Sequence, residues 1–207
     1  MEKHSEKSCL DFSKMLASKN PVPGGGGASA LAGALGAALC AMVANYTIGK
    51  PKYSSVEAEV TTIRNQAEEI RMKLLKLMDA DAEAFIILSD VYAMPKTEAA
   101  RREKLETATL NACDAPLGMI EACCQALELL RSILEKGNRM LLSDTGCGAI
   151  LCKAAMESAS MNVYVNTKTL QDRERAAQIN ESVAARIEKY GLIADRSIES
   201  VREQLTK

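Results

Sequence analysis

The chain has 207 residues, the size of one domain, and its 47% apolar and 26% charged residues belong to a folded globular chain rather than a disordered one. Its 26 basic and 27 acidic side chains leave a net charge of −1, so no basic excess exists to release counterions from DNA or RNA. Aromatic residues make up only 3%, with no Trp, two Phe and five Tyr set against 31 Ala. Strands favour aromatic and β-branched residues, so this composition excludes a β-sandwich or barrel, and with it a stacking platform for single-stranded nucleic acid.

The only histidine is His4, four residues from the start, where chains are usually loosely held. That excludes His-based triads, HExxH metal sites and most zinc catalysis, and leaves acid–base work to Asp, Glu, Lys, Tyr or Cys. Seven cysteines occur, at positions 9, 40, 113, 123, 124, 147 and 152, with no CxxC spacing. An odd count with two adjacent members fits neither a disulfide framework nor a zinc knuckle. They read as reduced cytosolic thiols filling small core volumes, so the chain is expected in the cytoplasm and without a metal.

Met1 to Lys19 is charged and amphipathic and does not read as a signal peptide. Ser8 to Ser18 reads as a short amphipathic helix, and Lys19 to Gly26 as a loop. Asn20 to Gly49 carries no charge and is long enough to span a bilayer. Its content is mostly Gly and Ala, which supply little transfer energy. A buried helix of small residues, from Gly27 to about Tyr46, is the expectation, with no membrane partner.

The next helix runs from about Val56 to Met94, capped by Ser54 or Ser55. Val56, Val60, Ile63, Ala67, Ile70, Leu74, Leu77, Ala84, Leu88 and Val91 follow alternating steps of four and three, the seam of a bundle. Asp81 occupies the seam position between Leu77 and Ala84, and Asp79 falls off the seam. Pro95 ends this helix, Thr97 caps another to about Cys113, and Pro116 opens one that runs to Lys136 and stops at Gly137. Ser143 caps a second small-residue helix from Asp144 to Asn162 or Asn166. Two more follow, about Gln171–Lys189 and Ala194–Leu205, split at Tyr190-Gly191. Only the brief Val163-Tyr164-Val165 has strand character. The fold class is therefore all-α: an antiparallel up-and-down helical bundle with one long central helix, in a single domain covering 1–207.

Several features bear on chemistry. The run Gly24 to Gly27 opens a helix whose free amides suit an anion or carboxylate, but it is neither a Rossmann nor a Walker pattern, and it reads equally as a flexible lead-in to a close-packed helix. A carboxylate on an apolar seam, as at Asp81, has its pKa raised and becomes a proton donor near neutral pH, unless it serves a buried cation or helix end. Asn138, Asn162 and Asn166 carry donors and acceptors suited to a heteroaromatic ligand, or to turns and caps. Lys50 and Lys96, at helix ends beside prolines, suit either the helix C-terminus or a ligand carboxylate.

Taken together, three blocks resemble the C-terminal domain of the formiminotransferase-cyclodeaminase family. The first is Ser18 to Gly26 with the Ala-Leu-Ala-Gly-Ala-Leu-Gly stretch and Met42-Val43-Ala44-Asn45. The second is Leu77 to Phe85 with Tyr92 to Lys96. The third is Gly137-Asn138, Ser143-Asp144, Asn162-Val163 and Asn166. The blocks stand in order and span residues 18–172.

The resemblance implies an all-α fold, a homodimer or higher assembly, and a tetrahydrofolate substrate with no other cofactor. Members convert 5-formiminotetrahydrofolate to 5,10-methenyltetrahydrofolate and ammonia, or hydrolyse the methenyl form to 10-formyltetrahydrofolate. On that basis Asp81 and Asp144 are the candidate proton carriers. Pro23, Gly24, Gly25 and Gly26 would meet the folate. Asn138, Ser143, Asn162 and Asn166 would hold the pterin or a water, and Lys50 and Lys96 the glutamate tail. A folate-binding or assembly protein that kept the fold without the chemistry is the alternative.

Overall fold

The computed structural model describes residues 3–207. Among them are six α-helices and no strand: α1 Cys9–Leu16, α2 Gly25–Asn45, α3 Glu57–Ala93, α4 Arg101–Lys136, α5 Leu142–Thr167 and α6 Arg173–Thr206. Helices α2 to α5 run up and down as a four-helix bundle. In it α2 and α4 each lie against both α3 and α5, while α6 packs outside on α4 and α5. Three helices rather than one exceed thirty residues: α3 with 37, α4 with 36 and α6 with 34.

The small residues of α2 permit unusually close backbone contact. A Cβ on Gly36 would lie 2.9 Å from the Gly148 carbonyl of α5, and one on Gly148 would lie 3.2 Å from the Gly36 carbonyl. Only glycine admits this approach, which locks α2 antiparallel to α5 along its middle. Cys40, Cys123, Cys124 and Cys152 fill the same interior. Burial pushes the Cys40 and Cys123 thiols up to about 12, so they behave as small apolar fillers rather than nucleophiles. Helix α2 is long and apolar enough to cross a membrane, but 61% of its apolar window is buried inside the bundle.

Several boundaries differ from the sequence expectation, each for a local reason. Helix α2 begins at Gly25, before the expected Gly27. Thr97 and Ser143 cap nothing: Ala100 precedes α4, and Ser143 lies inside α5. Residues 163–165 continue α5, because Val163 is a core residue of the bundle. Gly191 stays inside α6, where it is buried. His4 is also not loose. It is only 4% exposed, and its backbone N–H donates to Asp79 Oδ1 at 2.7 Å while Ser5 Oγ donates to Asp79 Oδ2 at 2.6 Å.

Pro116 is the most instructive difference. It opens no helix but sits inside α4, where its missing N–H leaves the Ala112 carbonyl without an intrahelical donor. Asn166 of α5 supplies the replacement, donating from Nδ2 to that carbonyl at 2.9 Å. The tertiary contact thus permits a proline that local propensity forbids.

Replacing Asn166 by Ala should leave the Ala112 carbonyl unpaired and cost about 1–3 kcal/mol. Pro116→Ala restores an N–H to the same carbonyl, so the double variant should recover most of that loss. Urea unfolding of the wild type, both single variants and the double variant measures this coupling. Strictly additive effects would show that the two residues act separately.

Candidate active site

The bundle sets the amino end of α2 against the middle of α3 and the far end of α5. There a cleft of about 130 Å³ is lined by Pro21, Val22, Gly24, Gly25, Gly26, Asp81, Phe85, Ala112, Asn162, Val165 and Asn166. The first amides of α2 have no intrahelical carbonyl, and no side chain caps them, so they are open to a ligand.

Asp81 reaches the cleft from the flank of the α3 seam. The buried positions run Val60, Ile63, Ala67, Ile70, Leu74, Met78 and Ala82, then Leu88, which packs with Ala84 and Val91 on Ala108 and Ala112 of α4. Leu77 and Asp81 stand half-buried beside Met78 and Ala82. Asp81 therefore does not replace a core residue. It stands on the edge of the core, half-buried, with its carboxyl against Gly26. A Cβ on Gly26 would overlap the Asp81 carboxyl, so a larger residue there would have to displace that carboxyl.

Two carboxylates on one helix have opposite environments. Asp79 accepts three hydrogen bonds from His4 and Ser5. Asp81 accepts none among the described residues, and burial raises its pKa from 3.8 to about 6. Burial without hydrogen bonds penalises the charged form, which leaves a proton carrier titrating close to neutral pH.

Asn162 stands across the cleft, its side-chain atoms 3.5–3.7 Å from where a Cβ on Gly25 would lie. Its Nδ2 donates to the Ser158 carbonyl, and Asn166 Nδ2 donates to Ala112, so each amide keeps its oxygen as acceptor. Pro23 is buried behind the loop, where a Cβ on Gly27 would lie 3.2 Å from its own Cβ. Phe85 and Val165 supply the apolar walls that residue-by-residue reading did not single out.

The remaining candidates lie elsewhere. Asp144 and Ser143 sit in the first turn of α5, while Asn162 is near its other end, about 27 Å away at 1.5 Å per residue. Asn138 is buried at the Asp144 end, just before the start of α5. Its N–H donates to Thr47 Oγ1, its Nδ2 to the Tyr46 carbonyl, and its Oδ1 accepts from Met140. Lys50 follows there too, its Nζ 6.0 Å from the centre of the Tyr46 ring. Lys96 lies past the end of α3, which carries it about 18 Å beyond Asp81 along the axis. One protomer therefore brings together Gly24, Gly25, Gly26, Asp81, Asn162 and Asn166, and holds Lys50, Asn138, Ser143 and Asp144 at the opposite end. Among the described residues, no cluster of three or more His, Cys, Asp or Glu side chains is placed to hold a metal ion.

Comparison with known proteins agrees with this arrangement of helices. The methenyltetrahydrofolate cyclohydrolase of Methylorubrum extorquens is 38% identical over 194 residues, covering 92% of this chain and 93% of that one. The mouse formimidoyltransferase-cyclodeaminase is 28% identical over 176 residues, and the match covers 32% of its length. The crystal structure of formiminotetrahydrofolate cyclodeaminase from Thermotoga maritima superimposes with a TM-score of 0.84 at 32% identity, covering 95% of this chain and 98% of that one. With residues 8–185 also matching the family model, the chain belongs to the formiminotransferase-cyclodeaminase family.

Proposed function

We infer that the chain is a folate one-carbon enzyme acting at the carbon that bridges N5 and N10. It is of the formiminotetrahydrofolate cyclodeaminase or methenyltetrahydrofolate cyclohydrolase type, the two activities named in its relatives. The observation that carries the mechanism is Asp81: a half-buried carboxyl against Gly26, free of hydrogen bonds among the described residues, with its pKa raised to about 6.

Both reactions pass through a carbon bonded to N5, N10 and one further heteroatom. In the hydrolytic direction a water adds to the methenyl carbon and gives its proton to the Asp81 carboxylate. The C–N5 bond then breaks, Asp81 returns the proton to N5, and the adduct hydroxyl loses its own as the formyl C=O forms. In the cyclising direction N10 attacks the protonated formimino carbon, Asp81 carries the N10 proton to the amino group, and ammonia leaves. A carboxyl titrating near 6 serves both halves, since neither protonation state is rare near neutral pH. The open α2 amides and the Asn162 and Asn166 oxygens are proposed to hold the pterin.

Carbon–heteroatom bonds form and break in these steps without any change of oxidation state, so the proposed mechanism asks for no redox cofactor. The seven cysteines are all free, which supports a reducing, cytoplasmic setting. The resemblance of the chain to its family supports a homodimer as the working form.

Asp81→Asn should lower kcat at least ~100-fold in whichever direction the enzyme runs. The assay supplies 5-formiminotetrahydrofolate and follows ammonia with methenyl absorbance, then supplies the methenyl form and follows its hydrolysis. Folate binding without either turnover in the wild type would instead favour a binding protein.

For hydrolysis, kcat/KM should rise through about pH 6 as Asp81 ionises, a limb the Asn variant lacks. The same shift acts on stability. The folded chain keeps this proton at pH values where the unfolded chain has lost it. The Asp81 contribution is therefore complete below about pH 4 and is lost as pH rises through about 6. Asp81→Asn should therefore raise Tm at pH 8 relative to the wild type and change it little at pH 4. Gly26→Ala should displace the carboxyl and lower kcat by about 100-fold with the helices intact.

A further inference from the structure

The sequence contains two Phe, and the fold uses them in opposite ways. Phe12 is 5% exposed and packs into the core, near where a Cβ on Gly27 would lie. Phe85 is 44% exposed and stands in the wall of the Asp81 cleft, the one aromatic ring among the described residues that line it. Its helix neighbours Ala82 and Leu88 are the ones that turn inward. A ring left half in water gains only part of the free energy of burial, so Phe85 contributes far less than Phe12 to holding the bundle together.

Phe85 follows Asp81 by four residues, so the two side chains share one face of α3, one turn apart. The ring stands about 6 Å further along the helix axis. Helix α2 runs antiparallel to α3 and begins at Gly25, with Gly26 level with Asp81. Phe85 therefore lies off the end of α2, past the amides that favour negative charge. Among the described residues, the cleft lining holds one charged group, the Asp81 carboxyl, and no Lys, Arg or His. Around Phe85 the cleft thus offers an aromatic ring with Val22 and Val165, beside an acid and away from any cationic side chain.

The one-carbon unit changes charge in the reactions proposed above. As methenyl it is a flat cation, its charge shared over N5, the bridge carbon and N10, and the protonated formimino group is a cation of the same kind. As formyl it is a neutral amide. The face of a phenyl ring carries partial negative charge and attracts a cation placed within about 6 Å of its centre. An aliphatic side chain of similar size walls off water but has no such field.

We propose that Phe85 is a specificity-determining residue, its ring face lying against the cationic one-carbon bridge so that the site prefers charged folates to neutral ones. This rests on the enzymatic reading above and deepens it. In hydrolysis the attraction is strongest in the bound substrate and fades as water adds and the charge is lost, so it sets KM and not kcat.

The test compares ligands that share the pterin and the glutamate tail. Phe85→Leu should raise KM about 5- to 30-fold for whichever charged form the wild type turns over, methenyl or formimino, without lowering kcat. The inhibition constant of 5-formyltetrahydrofolate, whose one-carbon unit is neutral, should rise less than about 3-fold. Phe85→Tyr keeps the ring and should hold both constants within about 2-fold of wild type. Circular dichroism should show unchanged helical content in both variants, because the position is half-exposed. Equal weakening of charged and neutral ligands in Phe85→Leu would make the ring a plain apolar wall and overturns the proposal, as does no weakening of either, or a lowered kcat. Turnover by the wild type tests the enzymatic reading separately: with turnover present, a lost charge preference overturns this proposal alone, and with turnover of neither form both fall.

Discussion

The contact on which the rest depends is the backbone approach of α2 to α5 at Gly36 and Gly148. At this separation side chains cannot stand between the helices, so the two axes are fixed by main-chain contact and by the thiols packed beside it. Everything at the ends of the bundle inherits that registration. At one end it delivers the glycine-led start of α2 to Asp81 and Asn162. At the other it delivers Thr47 and the Tyr46 carbonyl to Asn138, which closes the joint between α4 and α5.

The scarcity of aromatic side chains follows from the same constraint. Large rings would hold helices apart, whereas alanine, glycine and cysteine let them close. Stability then comes from Leu, Ile, Met and Val on α3 and α4, which surround the small-residue pair. The buried cysteines serve as slightly larger alanines. Burial keeps the Cys40 and Cys123 thiols protonated, which withdraws them from chemistry.

Function and stability are opposed at Asp81. A carboxyl with three hydrogen bonds, like Asp79, anchors His4 and Ser5 against α3. One with none is uncomfortable when ionised and for that reason exchanges its proton near neutral pH. Asn166 shows a different economy: one amide restores the hydrogen bond that Pro116 removes and also forms part of the cleft wall. Structural repair and site formation fall to the same residue because the proline lies beside the cleft.

The sequence by itself determined that the chain is all helical, where most helices start and stop, and that Asp81 and the glycine run stand out from their surroundings. These are short-range properties, set by propensity, caps and the spacing of apolar residues along one helix. Tertiary structure decided that Pro116 does not break its helix, because Asn166 across the bundle supplies the donor that the local backbone lacks. It decided that Asp81 lies at the edge of the core, because α3 turns Met78 and Ala82 into the bundle there and leaves positions 77 and 81 on its flank. It also decided that Asp81 and Asp144 sit at opposite ends of one protomer. A family motif records which residues occur together in a chain. Their separation in space is set by the antiparallel closure of α2 on α5, a contact between distant segments that no single-helix pattern encodes.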